Sequence, residues 1–270
     1  KARQSVVLFC YFCTMILDYI KYLLKAKDEH SLHSPFVFDF YTKILKDKTL
    51  YKEYTEIETL RKDLLSDNRV ININDLGAGA KTNKSIQRTV SDIAKKSLKK
   101  PRLAQLFFRI IKYYQYSSIL DLGTSLGLTT AYLGKANHAE SLKSFEGCEE
   151  TAKIALETFN KLSLNNIEII QGNIDETLPK ELQKIQKLDF VFFDANHRYE
   201  PTIRYFERCL SKAHEDSCFI FDDIYWSEEM KQAWTTIQNH DSVRVSIDLF
   251  WVGIVFFRKK QPKQHFVLKF

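Results

Sequence analysis

The feature that most constrains this chain is the regular alternation, from residue 119 onward, of short apolar runs with amphipathic stretches. The runs at 119–122, 142–145, 167–170, 190–193 and 219–221 are short and mainly apolar, suited to buried parallel strands. Between them, 126–135, 149–162, 200–212 and 228–238 carry apolar residues at helical spacing, with Pro201 and Ser227 placed where helices start. Strands buried on both faces and joined by helices form a parallel sheet, so the pattern predicts an α/β, doubly wound, mostly parallel sheet. The run at 243–260 reads as a C-terminal antiparallel hairpin on the sheet edge.

Upstream, helical spacing from 16 to about 65, broken by the turn "EHSLHSPF", predicts a helical N-terminal cap. His30 and His33 in that turn read as helix-start residues. Residues 69–103 hold a short β-like run, the glycine turn "DLGAGA" and many lysines. With little to bury, this stretch reads as a mobile connector or lid. The boundary falls near Pro101, giving a cap and lid over 1–100 and a main domain over 101–270. The first apolar run, 5–17, is stopped by Asp18 and Lys21, short of the roughly 20 residues that cross a bilayer. It predicts a buried or interfacial helix, compatible with a membrane-surface contact but not a transmembrane span. The first methionine is Met15, and residues 1–14 read as an extension foreign to the native start.

A content of 44% hydrophobic and 27% charged residues is that of an ordinary globular protein. A formal charge of +6 tolerates an anionic partner, but the lysines are scattered and form no stripe, which disfavours nucleic acid. Five unevenly spaced cysteines fit a reduced, cytoplasmic setting. Cys10 and Cys13 form an isolated C-x-x-C with no second pair or histidine cluster, so a metal or redox role is disfavoured.

In an open parallel sheet, ligands bind beyond the carboxyl ends of the strands where strand order reverses. The turn "DLGTSLG" stands at the end of the first apolar run; Gly123 and Gly127 let backbone approach a ligand, and the next helix offers free N–H groups. No G-x-G-x-x-G is present, which disfavours a dinucleotide. Asp121 would repel a diphosphate and pair with a cationic ligand. Glu146 ends the next strand, where a carboxylate accepts hydrogen bonds from ribose hydroxyls, and Asn173 and Asp175 in "QGNIDETL" would face an adenine edge.

This ordered series resembles the class I S-adenosylmethionine-dependent methyltransferases over about residues 101–258. The resemblance implies a Rossmann-like methyltransferase fold and S-adenosyl-L-methionine as cofactor. It also implies a binding set of Asp121, Gly123, Thr124, Ser125 and Gly127, then Glu146 and Gly147, then Asn173 and Ile174, and Asp194.

Asp194 in "VFFDANHRYEP" and Asp222 and Asp223 in "FIFDDIYWSEE" end neighbouring strands, where a hard divalent cation would neutralise three converging carboxylates. His197 follows in the same loop with a side chain suited to proton transfer near neutral pH. The competing reading makes the acids cap residues and packs His197 on Tyr199. The D-x-x-H and D-D-x-x-W patterns are similar to those of divalent-metal-dependent O-methyltransferases, and D-x-x-H-x-Y resembles a broad bacterial group of such enzymes. That likeness implies Mg2+ or Mn2+ on Asp194, Asp222 and Asp223, with His197 as base beside a catalytic Asp194. The lysine and asparagine expected in the caffeoyl-coenzyme A type are absent, which weighs against a catechol-like acceptor. Tyr225 and Trp226 would line an acceptor pocket or pack in the core; Lys81, Lys84 and Arg88 would meet an anionic group or solvent.

The expectation is therefore a methyltransferase acting on a hydroxyl of a small-molecule or sugar-like acceptor. Its rivals are an RNA or protein methyltransferase and a non-catalytic S-adenosylmethionine-binding protein. Oligomeric state stays open, a homodimer being compatible with the chain.

Overall fold

The computed structural model describes residues 2–73, 86–136 and 141–270. The Cys10 and Cys13 side chains, the turn at 75–80, Lys81 and Lys84 lie outside the described residues.

Helix α1 (Ala2–Lys25) leads through a short 3-10 turn to α2 (Pro35–Phe40), a π-helical turn (Tyr41–Leu45) and α3 (Lys52–Ser66). Strands β1 (Val70–Ile73) and β2 (Ile86–Thr89) pair antiparallel, followed by α4 (Val90–Ser97) and α5 (Pro101–Tyr114). The expected alternation follows as β3 (Ser118–Leu122), α6 (Leu128–Ala136), β4 (Ser141–Glu146), α7 (Glu149–Lys161), β5 (Ile167–Gln171), α8 (Ile174–Lys184), β6 (Leu188–Phe193), α9 (Tyr199–Leu210), β7 (Ala213–Asp222) and α10 (Glu228–Asn239). Strands β8 (Val245–Asp248), β9 (Val252–Phe256) and β10 (Gln264–Val267) close the chain.

The eight-stranded sheet has the order β10-β8-β9-β7-β6-β3-β4-β5. Strands β3 to β7 are parallel, and β9 pairs antiparallel with both β7 and β8. The expected hairpin is present but does not end the sheet: β10 pairs parallel with β8 and takes the edge. Strand order reverses at β3, flanked by β4 and β6, so a cleft opens beyond its carboxyl end.

Strand side chains alternate between two cores. Phe190, Phe192, Cys218 and Ile220 face one, and Val191, Phe193, Phe219 and Phe221 the other. Helices α2 and α3 and the π-helical turn belong to the first of these: Val37, Phe40, Ile44, Ile57 and Leu60 are buried in the cluster that includes Ile119 and Ile254, whereas Tyr22 of α1 packs with Phe250 in a separate cluster. Phe40 meets Phe256 edge-on at 5.8 Å, and the buried Arg109 of α5 donates Nε to the Ile44 carbonyl at 2.8 Å.

Within the stretch expected to be a mobile connector with little to bury, residues 90–103 do bury apolar side chains. Val90, Ile93 and Ala94 of α4 are buried at helical spacing, Thr89 caps the helix by accepting from the Asp92 N–H, and Pro101 starts α5 at its first turn. On α4 itself, Lys95 and Lys96 stand on the solvent side and hide a short amphipathic helix. Among the described residues no helix is long and apolar enough to cross a membrane.

Candidate functional site

The turn after β3 is fixed by its own backbone. The N–H groups of Gly123 and Thr124 donate to the Phe145 carbonyl at 3.2 and 3.0 Å, and Gly127 N–H donates to the Thr124 carbonyl at 2.9 Å. Gly123 has φ +122°, and a Cβ there would lie 2.4 Å from the Asp194 backbone oxygen. The turn can therefore close on the β6 loop only if this position is glycine. Gly127 serves packing instead: at φ +80°, its missing Cβ leaves room for Phe159 and Ala155 of α7.

Beyond these strand ends lies a cavity of about 490 Å³, within the range of small-molecule sites. Gly123 and Ser125 line it from the β3 turn, Glu146 and Gly147 from the end of β4, and Asn173 and Ile174 from the end of β5. Asp194, His197 and Asp223 line the other flank, and Ile93, Ser97 and Lys99 close it from the N-terminal side with Arg88 at its rim. Glu146 is engaged at both oxygens, by the Ser125 N–H at 2.8 Å and the Cys148 N–H at 2.9 Å. Asn173 caps α8 by accepting the Asp175 N–H at 2.9 Å.

Besides Asp175, whose carboxylate is held outside the cavity lining by Arg204 at 2.8 and 3.0 Å, three residues expected at the ligand stand elsewhere. Asp121 is fully buried behind the turn, where one oxygen accepts from Thr130 Oγ1 at 2.6 Å and from Ser144 Oγ at 2.8 Å. Its other oxygen has no hydrogen-bond partner among the described residues. Burial outweighs those two bonds and raises its pKa to about 7. Thr124 is buried in the same network, 2.6 Å from Ser144 Oγ. Gly127 faces α7, as described. The sheet pleat accounts for Asp121: a strand-end acid points into the cleft or into the packing beneath it according to its parity. Tyr225 also turns away from the cavity, stacking on Phe250 at 4.9 Å and donating to Asp248 at 2.7 Å.

The acids after β6 and β7 do converge, but around an unforeseen group. Lys99, on the short connection between α4 and α5, places Nζ 3.0 Å from Asp194 Oδ1 and in close contact with Asp222 Oδ2. Nothing in "KKSLKKPRL" distinguishes Lys99 from its neighbours. Burial would lower the Lys99 pKa, but the charges of Asp194, Asp222 and Asp223 hold it above the usual lysine range. Burial would likewise raise Asp194, but Lys99 and His197 bring it down to about 2. Burial and the Asp194 charge raise the inner Asp222 despite Lys99. Asp223, pushed up by burial against Lys99 and His197, sits at φ +53° on the cavity wall.

His197 has φ +39° and its Nε2 lies 3.4 Å from Asp194 Oδ1. Burial alone would lower its pKa, but Asp194 and then Asp223 raise it above the ordinary histidine value. The donor atoms of Asp194, His197 and Asp222 lie within 4.8 Å of one another, the spacing of a metal cluster. Asp223, the third acid of the expected metal set, is not in that group. Both acids of the group are paired with the Lys99 ammonium.

Residues 120–224 match a protein family described as a methyltransferase domain. A comparison with curated protein sequences finds no match. Among solved structures, the chain is similar to the Podospora anserina methyltransferase PaMTH1 bound to S-adenosylhomocysteine, with TM-score 0.59 and 11% identity over 84% of this chain and 97% of that one. It is also similar to an O-methyltransferase from Bacillus cereus in complex with S-adenosylhomocysteine, with TM-score 0.53 and 15% identity over 77% and 92%. A third likeness is to the O-methyltransferase TomG from Streptomyces achromogenes, involved in tomaymycin synthesis and bound to S-adenosylmethionine. There the TM-score is 0.52 and identity 15%, over 59% of this chain and 81% of that one.

Proposed function

We propose, from the premise that residues 120–224 form a class I methyltransferase domain, that this protein transfers a methyl group to a hydroxyl oxygen of a small-molecule or sugar-like acceptor. The observation that carries the proposal is a single cavity with Glu146 on one side of the β3 turn and the Asp194–His197 pair on the other. S-Adenosylmethionine, when bound, supplies the methyl group together with its own leaving group. Glu146, already oriented by two backbone N–H groups, accepts the ribose hydroxyls. Gly123, Ser125 and Gly147 supply close backbone approach, and Asn173 and Ile174 border the base. Asp121 acts one layer back, holding Thr130 and Ser144 behind the turn.

On the acceptor side, Asp194 faces His197 Nε2, which leaves Nδ1 as the nitrogen that takes the hydroxyl proton. The role of Asp194 is to hold the ring and stabilise the imidazolium that forms. Transfer needs the acceptor oxygen in line with the methyl group, and the wall that α4 and the Lys99 connection add to the cavity supports that orientation. No step is assigned to a divalent metal, because the carboxylates that would hold it are tied to Lys99. Residues 1–100 serve as the cap of this site and 101–270 as the transferase domain, the two sharing one core.

Calorimetric titration with S-adenosylhomocysteine tests the cofactor reading; one equivalent bound, with loss of affinity in Glu146→Ala, is the expected result. Absence of binding by the intact chain would overturn it. Transfer of labelled methyl to a panel of hydroxyl acceptors, set beside RNA and protein acceptors, tests the acceptor class.

A further inference from the structure

We propose that Lys99 is the resident cation of this site: its ammonium fills the position between Asp194 and Asp222 that a divalent metal would otherwise take, and excludes the metal. The placement is built into the fold. Lys99 stands between Ser97, the last residue of α4, and Pro101, the first of α5, and both helices are anchored in the core by residues such as Ile93, Ala94 and Leu103. Its side chain is only 15% exposed, and Asp222 beneath it is 1% exposed. This is an enclosed ion pair and not a surface lysine lying across two acids.

The chemistry of the two cations decides between them. A hard divalent ion such as Mg2+ needs about six oxygen ligands at roughly 2.1 Å. An ammonium is satisfied by three acceptors at hydrogen-bond distance. Asp194 and Asp222 together supply two acceptors to Lys99, and the third N–H remains for an oxygen in the cavity that Lys99 lines. For a metal to enter, the ammonium would have to give up two buried carboxylates, with Asp223 the acid left beside it on the cavity wall, a cost of several kcal/mol by general experience with buried ions. The third N–H then points to a positioning role: it holds the acceptor oxygen near His197, one positive charge replacing the two of a metal ion. That role rests on the hydroxyl-transfer reading above; the occupancy of the cation position does not.

The experiment titrates Mn2+ into the full-length chain and follows the loss of the free-ion electron paramagnetic resonance signal. The same samples are titrated with S-adenosylhomocysteine by calorimetry. The wild type is expected to bind no stoichiometric Mn2+ at ligand concentrations up to roughly 1 mM, and its S-adenosylhomocysteine affinity should be indifferent to chelator. Lys99→Met should gain a Mn2+ site at least roughly tenfold tighter, which Asp222→Asn in the same background removes, while Lys99→Arg keeps the metal out. One equivalent of Mn2+ bound by the wild type, as tightly as or more tightly than by Lys99→Met, would overturn the proposal. If circular dichroism shows Lys99→Met unfolded, the wild type decides alone: a stoichiometric Mn2+ site that Asp222→Asn abolishes overturns the inference, and no such site supports it. Failure of S-adenosylhomocysteine to bind would sink the methyltransferase reading and leave the Mn2+ result standing by itself.

Discussion

Replacing Asp121 by asparagine should remove a pH dependence of stability that the wild type carries. Asp121 is fully buried, and its pKa is raised from an ordinary 3.8 to about 7, chiefly by desolvation. Between those two pH values the folded chain keeps a proton that the unfolded chain has released, so stability falls as pH rises. The stabilisation is complete below pH 3.8 and gone once pH has passed about 7. At about 1.4 kcal/mol per pKa unit, the shift is worth roughly 4 kcal/mol. The asparagine oxygen can keep the bonds from Thr130 and Ser144, while its NH2 group replaces an oxygen that has no partner among the described residues. That buried N–H group should cost about 1–3 kcal/mol at every pH. Asp121→Asn should therefore be less stable than the wild type at pH 4 and should gain on it by roughly 4 kcal/mol by pH 8. Paired urea-unfolding curves across that range measure the difference, in which the titrations of all other groups largely cancel. A difference constant to within about 1 kcal/mol would refute the assignment of a raised pKa to Asp121.

Three further outcomes are expected. Gly123→Ala brings a Cβ within 2.4 Å of the Asp194 backbone oxygen at φ +122°, so it should cost at least roughly 1–3 kcal/mol and weaken S-adenosylhomocysteine binding; thermal unfolding and calorimetry would show both. His197→Ala should lower kcat by roughly 10²–10⁴-fold with cofactor affinity nearly unchanged. Because Asp194 and Asp223 raise the His197 pKa, the wild-type rate should climb with pH and level off above the ordinary histidine range, and a profile already flat at pH 6 would argue against His197 as base. Glu146→Gln keeps an acceptor for one backbone N–H but loses the charge, and roughly tenfold weaker S-adenosylhomocysteine binding should appear in the titration.

The sheet was readable because its signals are local. Residues 190–193 and 219–221 are apolar at consecutive positions since helices cover both faces, and 228–238 repeats at helical spacing since one face of that helix is covered. Strand β10 escaped notice for the converse reason: at the sheet edge none of its four residues is buried, so "QHFV" carries no core pattern. Helix α4 was masked by lysines that crowd its solvent side, although Val90, Ile93 and Ala94 keep the spacing of a buried face.

The candidate site divides along the same line. That acids stand at the ends of β3, β4, β6 and β7 follows from the order of residues in each segment. Which of them reach the cavity depends on pleat and packing, and so Glu146 lines it while Asp121 lies buried behind the turn. Lys99 is 95 residues from Asp194 and 123 from Asp222 along the chain, and no periodicity links them. Hydrophobic patterning is written within a turn or a strand because each residue meets the same core as its neighbours. The pairing of buried charges is set by distance in space, and it came into being only when the connection between α4 and α5 brought Lys99 to the ends of β6 and β7.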